Sequence, residues 1–166
     1  MPRNDLPATC FTNALTSPLV AELSQPPFAD EQLSTFSPQA LALINERECY
    51  DQNHPVTAIY RMATQGSQSR DGGTIRQASS PLEITLQDGS VACVALVGDV
   101  VEYPDGSQAQ IVSGAGQHAN WNDRGFALVG RVLSNGDEII NTPQDSMLLT
   151  QLAGVPMSDD FLTVVG

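Results

Sequence analysis

The chain repeats itself every thirty-two residues. Ala95-Leu96-Val97-Gly98 returns as Ala127-Leu128-Val129-Gly130, and thirty-two residues before Gly98 stands Gly66, closing Met62-Ala63-Thr64-Gln65-Gly66. Within five to eight residues each glycine is followed by a tight-turn pair: Asp71-Gly72, Asp105-Gly106 or Asn135-Gly136. Each turn leads to a β-branched pair, Thr74-Ile75, Ile111-Val112 or Ile139-Ile140. A fixed period of this length implies one supersecondary unit used three times. Three short units cannot each bury a face alone, so the expected solution is a compact body closed with pseudo-threefold symmetry.

The repeat sits in a region with its own grammar. From Ala58 onward, β-rich runs at Leu82–Leu86, Val91–Val97, Gln110–Val112, Phe126–Val129 and Glu138–Ile140 are split by glycine turns, including Asp88-Gly89. Short strands with turns every ten or so residues predict a mainly β fold. Residues 1–57 read as a helical or irregular extension. Ser17-Pro18 and Ser37-Pro38 carry N-cap then first-turn proline chemistry. The first helix should end before Pro26-Pro27, and the second should run to about Cys49 or Tyr50 with Leu41, Leu43 and Ile44 on one face. Asn53-His54-Pro55 closes the extension. The expected organisation is therefore 1–57 as extension, 58–142 as the repeat body, and 143–166 as a tail packing on the body. In that tail Met147, Leu148, Leu149 and Leu152 have helix-like spacing, and the string ending at Val165-Gly166 suits a strand.

Charge excludes several classes of partner. Nineteen acidic residues face seven basic ones, all arginine, for a net charge of −12. Nucleic acid and anionic lipid both reward neutralisation by cations, so neither is an expected partner. The longest apolar run, Val91–Val101, is broken at Gly98-Asp99 and falls far short of a membrane span. Met1–Asp5 lacks the apolar stretch of a secretory signal, which predicts a chain made in the cytoplasm and exported, if at all, without a cleavable signal. Cys10, Cys49 and Cys93 form no CxxC pair, and Cys93, in an apolar strand pattern, reads as a small buried hydrophobe.

Taken in order, Ala63-Thr64-Gln65-Gly66, Asp71-Gly72-Gly73, Val94–Val101, Ile111-Val112-Ser113-Gly114, Gly125-Phe126-Ala127-Leu128-Val129-Gly130 and Asn135-Gly136-Asp137 resemble the PAAR-repeat proteins. The resemblance covers roughly 60–142. It implies a small β-rich cone that caps and sharpens the trimeric valine–glycine-repeat spike of type VI secretion or of a related phage-like tail, one chain per trimer. An alternative within the resemblance is an adaptor that carries an effector on the spike through residues 1–57. The apex candidates are then Asp71, Gly72, Asp105, Gly106, Asn135 and Gly136. Family cones hold zinc near the apex with three histidines and a cysteine. Here the corresponding positions read Asp71, Tyr103 or Asp105, and Asn135. A set of Asp71, Asp105, Asp137 and His118 would lack soft donors, and Asp or Asn before Gly is ordinary turn chemistry. The expectation is no metal and no cofactor.

No catalytic set is expected either. His118 lies alone in the polar connection Gly116–Trp121, and the paired acids Asp30-Glu31, Asp137-Glu138 and Asp159-Asp160 read as solvated neighbours. Ser113-Gly114-Ala115-Gly116 is followed by neither lysine nor a helix signal, so it is no phosphate cradle. Trp121, the sole tryptophan, reads as packing on the repeat's edge. An Asp–His118 hydrolase is the remaining enzymatic alternative, and the reading taken is that the protein is not an enzyme.

Overall fold

A computed structural model describes residues 10–25 and 28–164. The leader reading of Met1–Asp5, the helix-ending Pro26-Pro27 and the terminal Val165-Gly166 lie outside the described residues. The chain divides into two compact units. One comprises Met1–Asn13, Tyr60–Leu149 and Met157–Gly166; the other comprises Ala14–Ile59 and Thr150–Pro156. The fold is mainly β, with short antiparallel pairs and three helices among the described residues.

The repeat unit is built in three tiers. In the first, ribbons lead into the repeats: β1 (Val56–Arg61) pairs with β8 (Leu148–Leu152), β2 (Glu83–Thr85) with β3 (Val91–Cys93), and β6 (Asn120–Trp121) with β7 (Arg124–Gly125). At the end of each ribbon one residue donates its N–H to a flanking carbonyl. Met62 donates to Met147 at 3.1 Å, Val94 to Leu82 at 2.9 Å, and Phe126 to Ala119 at 3.0 Å.

The second tier is a closed ring. Ala63 N–H donates to Ala127 C=O at 2.8 Å, Ala127 to Ala95 at 2.9 Å, and Ala95 back to Ala63 at 2.9 Å. Bridges Met62–Leu128, Thr64–Val94 and Leu96–Phe126 flank it with the same cyclic order. All three alanines are fully buried in one apolar cluster, where a larger side chain would overpack its neighbours. The period seen in the sequence is thus closed by hydrogen bonds, each worth about 1 kcal/mol net.

The third tier begins where the chain turns at Gly66, Gly98 and Gly130, whose φ values of 92°, 97° and 90° are left-handed and favour glycine. Their N–H groups donate to Ile75, Ile111 and Ile139 C=O at 2.8, 2.8 and 2.7 Å. Each repeat then makes a tight hairpin, and its return segment pairs with the next repeat. Thr74 bridges Glu102, Ile111 bridges Leu133, and Ile139 bridges Ser69. The middle hairpin alone is long enough to form strands, β4 (Val100–Glu102) and β5 (Gln108–Gln110).

Two apolar clusters fill the unit. The alanine ring packs with Ile75, Ile111 and Ile139, each 1% exposed, and with Val101 and Leu133. Met62, Val94, Phe126, Leu96, Leu128 and Ile84 form the second cluster. Cys93 is half-buried on β3, a correction to its reading as a buried hydrophobe.

In the other unit, α1 (Ser17–Leu23) is capped by Thr16, whose hydroxyl accepts from Leu19 N–H at 3.3 Å. The cap therefore falls one residue before the expected serine. After the short α2 (Asp30–Leu33), α3 (Pro38–Asn53) starts at the expected Ser37 cap, which accepts from Ala40 N–H at 3.2 Å. It runs three residues past Tyr50 and stops at His54, before Pro55. His54 Nδ1 lies 2.7 Å from Ala153 O. The helical spacing around Met147 does not produce a helix: Leu148–Leu152 is strand β8, because pairing with β1 satisfies its backbone.

Candidate functional site

The hairpin ends gather the apex candidates. Gly72, Gly106 and Gly136 sit at φ 93°, 88° and 86° with open space around them. Asp71, Asp105 and Asn135 precede them, and all six are exposed. Asp105 folds onto its own turn, accepting from Ser107 N–H at 2.9 Å and Oγ–H at 2.6 Å. These donors hold its carboxyl below the usual range. Asp71 and Asn135 instead meet across two repeats through a network that lies beneath the turns.

Asp137 is the centre of that network and is 1% exposed. Its Oδ2 accepts the Tyr103 hydroxyl at 2.6 Å, and its Oδ1 accepts Glu138 N–H at 2.8 Å and Asp71 N–H at 3.2 Å. Ser69 supplies a further hydroxyl contact, while Asn135 Nδ2 donates to Tyr103 Oη at 3.1 Å. Arg70 lies over the group, 3.9 Å from Asp137 and 3.5 Å from Asp71 and Glu138, and donates to Gly136 O at 3.2 Å. Ser69, Tyr103 and Asp137 come one from each repeat. Burial alone would raise the Asp137 carboxyl, but the Ser69 and Tyr103 hydroxyls and the two backbone N–H groups outweigh it and hold it below the usual range. Burial, then the adjoining Asp137, raises the Tyr103 phenol.

Gly73 makes this possible. A Cβ there would come within 2.4 Å of Val101 Cγ1 and 2.9 Å of the Tyr103 ring. The turn residues were legible as candidates; Ser69 was not, and Asp137 was legible in a turn motif and in a candidate ligand set but not as a junction of the three repeats. The only signal was that Asp137 follows its repeat glycine by seven residues, as Gly73 does.

The geometry does not fit tetrahedral zinc. Both oxygens of Asp137, the buried carboxylate beneath the hairpin turns, are occupied by hydrogen-bond donors, and zinc sites draw on nitrogen, sulfur and carboxylate ligands. No group of three or more His, Cys, Asp or Glu residues converges among the described residues. Asp71, Asp105, Asp137 and His118 are not assembled into a site: His118 lies on the 3₁₀ turn Gly116–His118, edge-on to Phe161 at 5.6 Å.

A second polar cluster pins the middle repeat. Asp99, largely buried, accepts Leu96 N–H at 2.8 Å, Ser79 N–H at 3.0 Å and the Ser79 hydroxyl, and pairs with Arg124 at 3.1 Å. Arg124 also donates to Val97 O at 2.8 Å. Asp160 holds the tail by accepting Gln117 N–H at 2.9 Å, which lowers its carboxyl. Trp121, on β6, is 45% exposed.

No family model, curated protein or solved structure matches the chain. No helix among the described residues is long and apolar enough to cross a membrane.

Proposed function

We propose that this chain is the tip of a trimeric spike in a contractile injection machine, one chain capping one trimer. The observation that carries the reading is the closed ring of Ala63, Ala127 and Ala95 N–H···O=C bonds. A single polypeptide that closes on itself with threefold order can meet three identical chains with three similar surfaces, and like surfaces are how symmetric assemblies match. The PAAR-like order of the repeat motifs supports the same reading.

In this role the protein works mechanically and catalyses nothing. The hairpin ends carry the exposed turns at Asp71-Gly72, Asp105-Gly106 and Asn135-Gly136, braced from beneath by the Ser69–Tyr103–Asp137 network. The ribbon end, opposite along the repeat, faces the spike. The protein reaches its site of action on the spike after synthesis in the cytoplasm. Native mass measurement of the chain mixed with the trimeric valine–glycine-repeat spike tests the proposal. One chain per three spike chains is the expected mass; a three-to-three complex, or no complex, overturns it.

A further inference from the structure

The helical unit has almost no interior of its own. None of α1, α2 or α3 buries a residue, and Ile59 is the one buried residue among the described residues of 14–59. Several of its apolar side chains face outward. Leu43 is 67% exposed, and Tyr50, seven residues on and therefore on the same face of α3, is 39% exposed. Arg47 lies between them with its guanidinium 5.4 Å over the Tyr50 ring. Beside this stripe, Phe28, Leu43, Ile44, Arg47, Glu48 and Asp51 line a cleft of about 380 Å³ that is mostly apolar.

The charge around the cleft selects its occupant. Residues 14–59 hold six acids, Glu22, Asp30, Glu31, Glu46, Glu48 and Asp51, against one arginine. That arginine is already engaged, Arg47 Nε lying 3.1 Å from Asp51. A second copy would bring the same acidic face and be repelled, and an anionic lipid surface would be repelled likewise. A helical segment with an apolar stripe and lysines or arginines beside it satisfies both halves of the surface, in the manner of helices that lie in grooves.

We infer that the face of α3 bearing Leu43 and Tyr50 is a docking site for a cationic amphipathic helix of a partner protein. Its apolar anchor enters the cleft between Phe28, Leu43 and Ile44, and its basic residues meet Glu48 and Glu46. The inference stands apart from the spike reading, since it concerns residues the repeat does not use.

The test uses the full chain and a labelled synthetic helix with leucine at every third and fourth position and lysine elsewhere. A control helix carries glutamate in place of lysine. Fluorescence anisotropy should show the cationic helix binding and the acidic one not. A cationic peptide also adheres to any acidic protein, so the deciding variant leaves charge untouched. Leu43→Ser, at a position too exposed to affect folding, should weaken binding about tenfold. Glu48→Gln should weaken it about threefold, with the effect shrinking as salt rises to about 0.15 M. Unchanged binding by Leu43→Ser would mean electrostatic adsorption only and overturn the site. Equal binding of the acidic helix, failure of the cationic helix to bind, or a dimer of the chain lost on Leu43→Ser would overturn it as well.

Discussion

Asp137 shows how much one buried carboxylate can fasten. It receives donors from all three repeats and keeps its charge because those donors outweigh burial. Asp137→Asn removes the charge and sets an amide N–H₂ against at least one donor, so it should cost about 2–3 kcal/mol at neutral pH. Tyr103→Phe should cost about 1–2 kcal/mol by leaving one carboxylate oxygen short of its hydroxyl. The pH dependence follows from the depressed carboxyl. Its stabilisation is complete above the unfolded carboxylate range, near about 3.9, and is lost as pH falls through the lower folded value. Denaturation midpoints of wild type and Asp137→Asn should therefore differ most at neutral pH and converge in acid. A gap that stays constant down to strong acid would contradict the role given to this carboxylate. The sequence could mark Asn135-Gly136-Asp137 as a turn but not as this junction, because Ser69 and Tyr103 are supplied by distant repeats and no local pattern reports them.

The hairpins and ribbons were legible where a backbone demand leaves one residue choice, and obscure where pairing switches partners. Gly66, Gly98 and Gly130 could be read from their period because a left-handed turn needs glycine. Val91–Val97 looked like one strand, yet only Val91–Cys93 is one. Beyond it Val94 pairs with Thr64 and Leu96 with Phe126, so the ladder changes neighbour within two residues. The β6–β7 hairpin escaped notice because its turn is Asn122-Asp123 rather than Asn-Gly. Both residues are left-handed, at φ 50° and 61°, in the manner of the tight turns that suit sheet twist. Asp123→Gly should relieve that strain and stabilise the protein by about 0.5–1 kcal/mol in equilibrium unfolding. Destabilisation would indicate that the Asp123 side chain contributes more than its backbone costs. Equivalence of the three repeats can be checked directly. Valine at position 63, 95 or 127 should overpack the same ring, each at a cost of roughly 1–3 kcal/mol; a single tolerated site would mean the ring is closed on fewer than three sides.

At the level of the entire chain, the expected boundary after residue 57 misses a connection made by the first described residues. Phe11 and Thr142 exchange two backbone hydrogen bonds at 2.8 and 3.0 Å. Asn13 receives Arg61 N–H on its Oδ1 and donates through Nδ2 to Val129 O, both at 2.7 Å, and Arg61 Nε donates to Thr12 O at 2.7 Å. This short N-terminal segment therefore belongs with the repeat unit, while 14–59 leaves that unit and returns to it. Hydrophobic periodicity could not reveal this, because Phe11-Thr12-Asn13 makes its contacts through backbone atoms, one amide and the Phe11 ring, over which the Arg61 guanidinium lies at 5.3 Å. Two deletions separate the possibilities. Removing residues 1–57 strips the five hydrogen bonds that Phe11, Thr12 and Asn13 make with the repeat and uncovers the Thr142 edge. At about 1 kcal/mol for each bond, that loss is comparable to much of a small domain's net stability. Replacing 14–59 with a short glycine–serine linker keeps all five, and the join is short because Asn13 and Arg61 are already in hydrogen-bond contact. The linker variant should give a cooperative unfolding transition close to that of the full chain, whereas the 58–166 fragment should unfold at a clearly lower temperature or denaturant concentration. Equal stability of the two variants would mean the Phe11–Asn13 segment contributes nothing to the repeat, and that the threefold body is complete without it.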